Sequence, residues 1–230
     1  MDIPQSYMLA NERKFAKLVP TNNSHHTCSD CALLGVSPFS GFFTTVVIEA
    51  LIRWTEENFQ HFFLFIPDEP TYYSLKAFGY EDSKARKKAK RQCNYLKNKC
   101  LTALKTVNRK YSEDMIITYD FLNKNYKFLS LLERINSQYI YNEEFKKEID
   151  GYSENFLRER NVIASKESIV FSSKYLISEL PFFISSPEIL GKNGCTFVYP
   201  KIPKIIKSFL EGKGAFSTNS KTNYQEYRME

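Results

Sequence analysis

The sequence predicts an α/β fold, a Rossmann-like parallel sheet with helices on both faces. Two observations predict it. Short apolar runs bounded by turn residues alternate along the chain with longer stretches of helical period. The 230 residues are 43% hydrophobic, enough for one domain with a real core and too few to demand two.

Taken in order, residues 1–28 are rich in polar residues and turn formers and are expected to be a loose N-terminal segment. The first buried strand is ALLGV, residues 32–36, followed after a sharp bend by a helix reaching to about residue 59. HFFLFIPD, residues 61–68, reads as the second strand, and a basic helix covers about 82–107. DMIITY, residues 114–119, is the third strand; helices follow across 126–160 and about 167–180. CTFVYP, residues 195–200, is the fourth strand, and a last helix ends near residue 212. The tail from about residue 213 to 230 is polar enough to be left disordered. In such sheets ligands bind beyond the carboxyl ends of strands where the strand order reverses. Ser37, Asp68, Tyr119 and Tyr199 follow or end predicted strands, so the fold is expected to gather them around one pocket.

Composition narrows the partners. The N-terminus has no basic region followed by an apolar run, and no segment approaches about 18 uninterrupted apolar residues, so a cytoplasmic protein with no membrane association is expected. Five cysteines, an odd number, argue for free thiols over a disulfide framework. Much of the net charge of +6 lies in residues 83–99, SKARKKAKRQCNYLKNK, whereas acidic residues collect in 141–156. That asymmetry points to a polyanionic partner for one face.

Ser37 follows the first strand and precedes a helix, where an exposed hydroxyl can act as a nucleophile beside helix amides that stabilise an oxyanion. Equally, Ser37 or Ser40 can simply cap that helix. An ordinary serine hydrolase is improbable: GVSPF lacks the second glycine of a nucleophile elbow, and the histidines are confined to His25, His26 and His61. An acylated Ser37 therefore needs a substrate that is already activated or carries its own base. HHTCSDC places His25 and His26 beside Cys28 and Cys31, half of a zinc site with no second half, so no metal is expected.

The basic helix has an inner stripe, Ala85, Ala89, Cys93, Leu96, Cys100, Leu104 and Val107, at spacings of three and four. Lys84, Lys87, Lys88, Arg91, Lys97 and Lys99 then lie outside or flank it, and no acidic residue occurs from Lys84 to Lys110. Cations without acidic i,i+4 partners favour contact with a phosphate backbone. Tyr175 and Glu179, four apart, share one helix face next to apolar Leu176 and Leu180. A carboxylate buried there needs a cation such as an α-ammonium group. Alone, the pair can equally be an exposed tyrosine above a solvated glutamate.

Together, ALLGVSPFSGFF, the basic helix, YLISELPFF in its Y-x-x-x-E-x-P form and FVYP resemble, in order and spacing, the cyclodipeptide synthases over about residues 30–210. That family resembles the catalytic domain of class I aminoacyl-tRNA synthetases and consumes aminoacyl-tRNAs, two per product. Neither an HxGH nor a KMSKS-like signature is present, so ATP is not expected to be needed and no cofactor is implied. By resemblance Ser37 is the nucleophile, Tyr175 and Glu179 hold the amino group of the first aminoacyl moiety, and Tyr199 lies near the reacting ester. By the same resemblance Ser40, Tyr199 and Pro200 stand at three positions that divide the family, and the chain looks like its XYP branch, with a variable residue, Tyr and Pro. The resemblance further assigns a first side-chain pocket to Leu33, Gly35, Phe65, Tyr119 and Phe182, whose large aromatics suit a small or medium residue. A monomer is expected. Two other readings share these features: a non-catalytic tRNA-binding protein with Ser37 as a cap, and a serine acyltransferase using small thioesters.

Overall fold

The computed structural model describes residues 18–21, 30–212 and 222–229 of the chain. Strand β1 (Leu18–Pro20) is followed by β2 (Cys31–Gly35), helix α1 (Thr45–Asn58), β3 (His61–Phe65), α2 (Thr71–Ala77) and the long α3 (Asp82–Val107). A 3-10 turn (Glu113–Met115) leads into β4 (Ile116–Ile117), α4 (Tyr119–Leu122), α5 (Tyr126–Tyr141), α6 (Glu143–Glu159) and α7 (Lys166–Leu190). The chain closes with β5 (Cys195–Tyr199), α8 (Lys204–Leu210) and β6 (Thr222–Met229).

The strands form one six-stranded sheet in the order β1-β6-β5-β2-β3-β4. From β6 to β4 the pairing is parallel, as expected, while β1 joins the edge antiparallel to β6. Strand β2 shows how the sheet is covered. Its residues alternate faces, so Leu33 packs with Phe65 and Phe197 among the residues of α4 to α8, whereas Ala32 and Leu34 pack with Ile48, Leu51 and Cys100 of α1 and α3. Every residue of β2 is buried, which is why the run is continuously apolar. Helix α2 packs against both α3 and α7 and so bridges the two layers.

Four sequence expectations change. The third strand shrinks from residues 114–119 to Ile116–Ile117, with Tyr119 opening α4. The tail is not left disordered along its length: β6 pairs parallel with β5, Cys195 opposite Thr222 and Tyr199 opposite Glu226, and takes β1 on its other edge. Glu226 anchors it by accepting from the Ile202 amide and the Lys207 ammonium, each at 2.8 Å. The polar composition hides this because backbone hydrogen bonds on both edges hold an interior strand without a continuous apolar run. By the same pairing, residues 18–20 of the segment expected to be loose form β1. Finally, α7 does not stop at residue 180. It runs through Pro181 and Pro187 to a left-handed Gly191 cap, with one break in helical geometry at Ser185 (φ −141°, ψ 26°). Burial on nearly every face holds the helix together where proline removes a donor. The Tyr119 hydroxyl donates to the Ser178 carbonyl near that weakened turn (2.8 Å).

Candidate active site

The chain turns back on itself between β2 and β5: β2, β3 and β4 run outward on one side, β5 and β6 on the other. Their carboxyl ends at Gly35 and Tyr199 mark the topological switch point, and a cavity of about 420 Å³ opens there. Ser37, Tyr175, Glu179 and Tyr199 all line it, brought from three separate elements.

Gly35 makes the approach possible. A Cβ built on it would stand 2.8 Å from Phe197 Cζ and 2.9 Å from Tyr199 Cδ2. Only a residue without a side chain lets these two rings, stacked 6.0 Å apart at 18°, lie against β2. Val36 continues the strand by donating to the Phe65 carbonyl (2.9 Å), and Ser37 then leaves the sheet half-buried.

Neither serine caps the helix. Thr44 is the N-cap of α1, its hydroxyl accepting from the Val47 amide at 3.3 Å. Ser37 donates to the Pro38 carbonyl (3.2 Å), and Ser40 accepts from the Phe42 amide (3.4 Å), shaping the bend. Helix α1 starts at Thr45, after the bend, with Thr44 and not either serine as its cap.

On α7, the Tyr175 hydroxyl donates to Glu179 Oε1 at 3.0 Å. Glu179 is 7% exposed, not a solvated surface acid. Burial pushes its carboxyl up to about 8, against the lowering effect of the Tyr175 donor. The phenols of Tyr119, Tyr152, Tyr175 and Tyr199 are all raised, first by burial and then in part by the negative charge of Glu179. For Tyr199 the Ser37 hydroxyl and Arg160 work in the opposite direction. One buried carboxyl thus sits close to several phenols, and among the described residues it has no ion pair. That is the arrangement an incoming ammonium group completes.

Of the remaining residues expected at the site, Gly35, Ser40 and Phe65 line the cavity. Leu33, Tyr119, Phe182 and Pro200 do not. Leu33, Tyr119 and Phe182 belong to the core behind Phe65, with the Phe182 ring 4.7 Å and the Tyr119 ring 6.4 Å from that of Phe65. Asp68 also stays outside the lining and accepts from the Tyr119 amide (2.9 Å), tying the end of β3 to α4. Sequence reasoning missed Tyr152, Phe156 and Arg160, which reach the cavity from the end of α6. Their only signal is a spacing of four between them on a helix that otherwise reads as acidic surface.

The basic helix presents its expected stripe inward: Ala85, Ala89, Cys93, Leu96, Cys100 and Leu104 are buried, and Val107 is half-buried. Its cations are less uniform than the sequence implied. Lys84 meets Glu81 (3.2 Å) and Lys97 meets Glu113, carboxylates supplied by flanking residues outside the acid-free run. Lys88 donates to the Tyr80 hydroxyl (2.5 Å), and Lys99 donates to the Phe43 carbonyl (3.4 Å). Lys87 and Arg91 are exposed and have no ion pair among the described residues.

Among the described residues no three His, Cys, Asp or Glu side chains gather as a metal site would require. His25, His26 and Cys28 lie outside those residues. Cys31, Cys93, Cys100 and Cys195 are free and buried. No helix among the described residues is long and apolar enough to cross a membrane. His61, on the exposed start of β3, does not line the cavity, so any acyl transfer at Ser37 proceeds without it.

The sequence pattern of the cyclodipeptide synthases matches residues 18–227, nearly the whole described chain. The chain belongs to the cyclodipeptide synthase family. Its relatives include the cyclo(L-leucyl-L-leucyl) synthase of Staphylococcus haemolyticus, 23% identical over 202 residues and 84% of each chain. The fold is that of the Bacillus thermoamylovorans cyclodipeptide synthase (TM-score 0.79, 20% identity, 94% of this chain and 97% of that one). It is also that of a Mycobacterium tuberculosis cyclodipeptide synthetase whose structure relates these enzymes to type I tRNA synthetases (TM-score 0.76, 19% identity, 92% and 91% covered). A more distant fold neighbour, the cyclodipeptide synthase of Candidatus Glomeribacter gigasporarum, is bound to Phe-tRNAPhe (TM-score 0.53, 18% identity, 87% and 88% covered).

Proposed function

We propose that this member of the family joins two aminoacyl groups, each delivered on tRNA, into a cyclic dipeptide by a ping-pong reaction through Ser37, and that it belongs to the XYP branch. The observation that carries the reading is the shared cavity: a half-buried serine at the switch point, with the buried Glu179, its partner Tyr175 and Tyr199 around it and no histidine in the lining among the described residues. A serine without a base suits an aminoacyl ester, which is already activated.

In this reading Ser37 Oγ attacks the ester carbonyl of the first aminoacyl-tRNA. The bond to the terminal ribose breaks, and the serine proton ends on the departing ribose oxygen. Exchange of one ester for another needs no external energy source, so ATP has no step. The α-ammonium of the bound aminoacyl group faces Glu179, a buried carboxyl that can accept its proton. The neutral amine so formed attacks the ester of the second aminoacyl-tRNA and releases its tRNA. The second amino group then attacks the Ser37 ester, closing the ring and returning the hydroxyl. Tyr199, influenced by both Ser37 and Glu179, is placed to relay these protons. Ser40, Tyr199 and Pro200 supply the branch signature; Ser40 shapes the bend, and no role from an asparagine is assigned to it. The exposed Lys87 and Arg91 are the cations for the tRNA backbone.

The test is incubation with mixed charged tRNAs and mass spectrometry of the products. Cyclic dipeptides are expected, and labelled aminoacyl-tRNA should leave one aminoacyl group on Ser37. Equal labelling of Ser37→Ala would overturn the assignment, and label on Ser40 would move the nucleophile.

A further inference from the structure

The bend that carries Ser37 contains a second residue that stability alone does not account for. Phe39 has φ 63°, in the left-handed region. For a bulky L-residue this backbone is strained, and glycine would hold it without strain. The ring does not repay that by burial. It is 45% exposed, yet it lines the mouth of the cavity two residues from the serine. Strained residues that persist at a reactive loop are candidates for function.

Its surroundings indicate which function. The ammonium of Lys88 on α3 stands 6.0 Å from the centre of the Phe39 ring and 4.2 Å from that of Tyr80. Phe39 is therefore the aromatic surface between the basic helix and the cavity. A substrate whose phosphates lie along Lys87 and Arg91 while its ester reaches Ser37 must pass its last nucleotide over this ring. The base of that nucleotide hangs from the same ribose that carries the ester, so it is held at the mouth and not inside. An exposed phenyl ring beside a cation is the chemistry that stacks a nucleobase. We propose that Phe39 is the stacking platform for the terminal base of the incoming aminoacyl-tRNA, positioning its ester over Ser37. This rests on the tRNA-dependent reading above.

The test is a cycle on protein and RNA together. RNA minihelices carrying a 5′ dye and ending in either adenosine or an abasic ribose are titrated against the wild type and Phe39→Gly. The same RNAs, chemically aminoacylated, are then assayed for cyclic dipeptide. Stacking is worth about 1–3 kcal/mol per base, so the glycine variant should bind the adenosine RNA roughly 5–150-fold more weakly. The wild type should lose the same factor on the abasic RNA, and the two changes together should lose no more than either alone. Phe39→Gly should melt no lower than the wild type, because glycine accepts φ 63°. Equal wild-type affinity for both RNAs, losses that multiply, or a glycine variant that melts well below the wild type would each overturn the proposal. Wild-type protein that binds the RNAs in this pattern but makes no cyclic dipeptide from the aminoacylated forms would sink the functional reading and leave the stacking site standing.

Discussion

Replacing Glu179 by glutamine should make the protein more stable and less active at the same time. The carboxyl is 7% exposed, and burial lifts it from an ordinary 4.5 to about 8. Between those values the folded state holds a proton that the unfolded chain has released, so stability is fully present below about pH 4.5 and falls as pH rises toward 8. At 1.36 kcal/mol per pK unit the penalty reaches ~3 kcal/mol at pH 7 and levels near ~5 kcal/mol above pH 8. Glutamine keeps the shape and an acceptor for the Tyr175 hydroxyl at 3.0 Å but carries no charge, so it should escape this penalty. Denaturant melts of both proteins near pH 5 and pH 7 should show a gap that widens with pH. Without the charge, the ammonium loses its ion pair and its proton acceptor, an effect of ~2–3 kcal/mol or roughly a hundredfold in cyclodipeptide formation. Affinity for tRNA, held by phosphate contacts elsewhere, should barely change. A folded Glu179→Gln protein with near-normal product yield would refute the ammonium site. Identical pH dependence of stability in the two proteins would show that the carboxyl is solvated.

Gly35→Ala should displace the Phe197 and Tyr199 rings, since a Cβ would lie 2.8 and 2.9 Å from them; a loss of ~1–3 kcal/mol in stability and at least tenfold in product formation is expected. Melting and activity equal to the wild type would show that the strand gives way freely. Thr44→Ala should cost ~1 kcal/mol by uncapping α1, whereas Ser40→Ala should leave that helix as stable as before; equal losses from both would mean that the bend and the cap act as one unit. Charge reversal of Lys87 and Arg91 to glutamate should weaken tRNA binding and flatten its salt dependence without unfolding the protein, and an unchanged binding constant at low and moderate salt would make them ordinary solvated cations.

The elements that were legible in the sequence are those whose physics is local. The α3 stripe from Ala85 to Leu104 repeats every three or four residues, so its span and buried face could be read directly. Strand β2 reads as continuous apolar because both of its faces are covered, and the glycine that ends it marks the bend. Tyr175 and Glu179 share a face by their spacing alone, but spacing is silent on burial. Only the packing of α7 through the core turned a possible surface pair into a carboxyl near 8.

What the sequence by itself determined, then, is which local element carries each candidate residue: Ser37 after a strand, Glu179 on a helix, a row of cations on another. The tertiary structure decided how they meet. The sheet order sets β2 beside β5 and so brings Tyr199 to Ser37, a contact between residues 162 positions apart that no periodicity encodes. It also recruited a polar tail as β6, because paired backbone groups stabilise an interior strand whatever its side chains. And it moved Leu33, Tyr119 and Phe182 behind the cavity wall, because the face a side chain occupies in a folded core depends on what packs against it and not on its own identity.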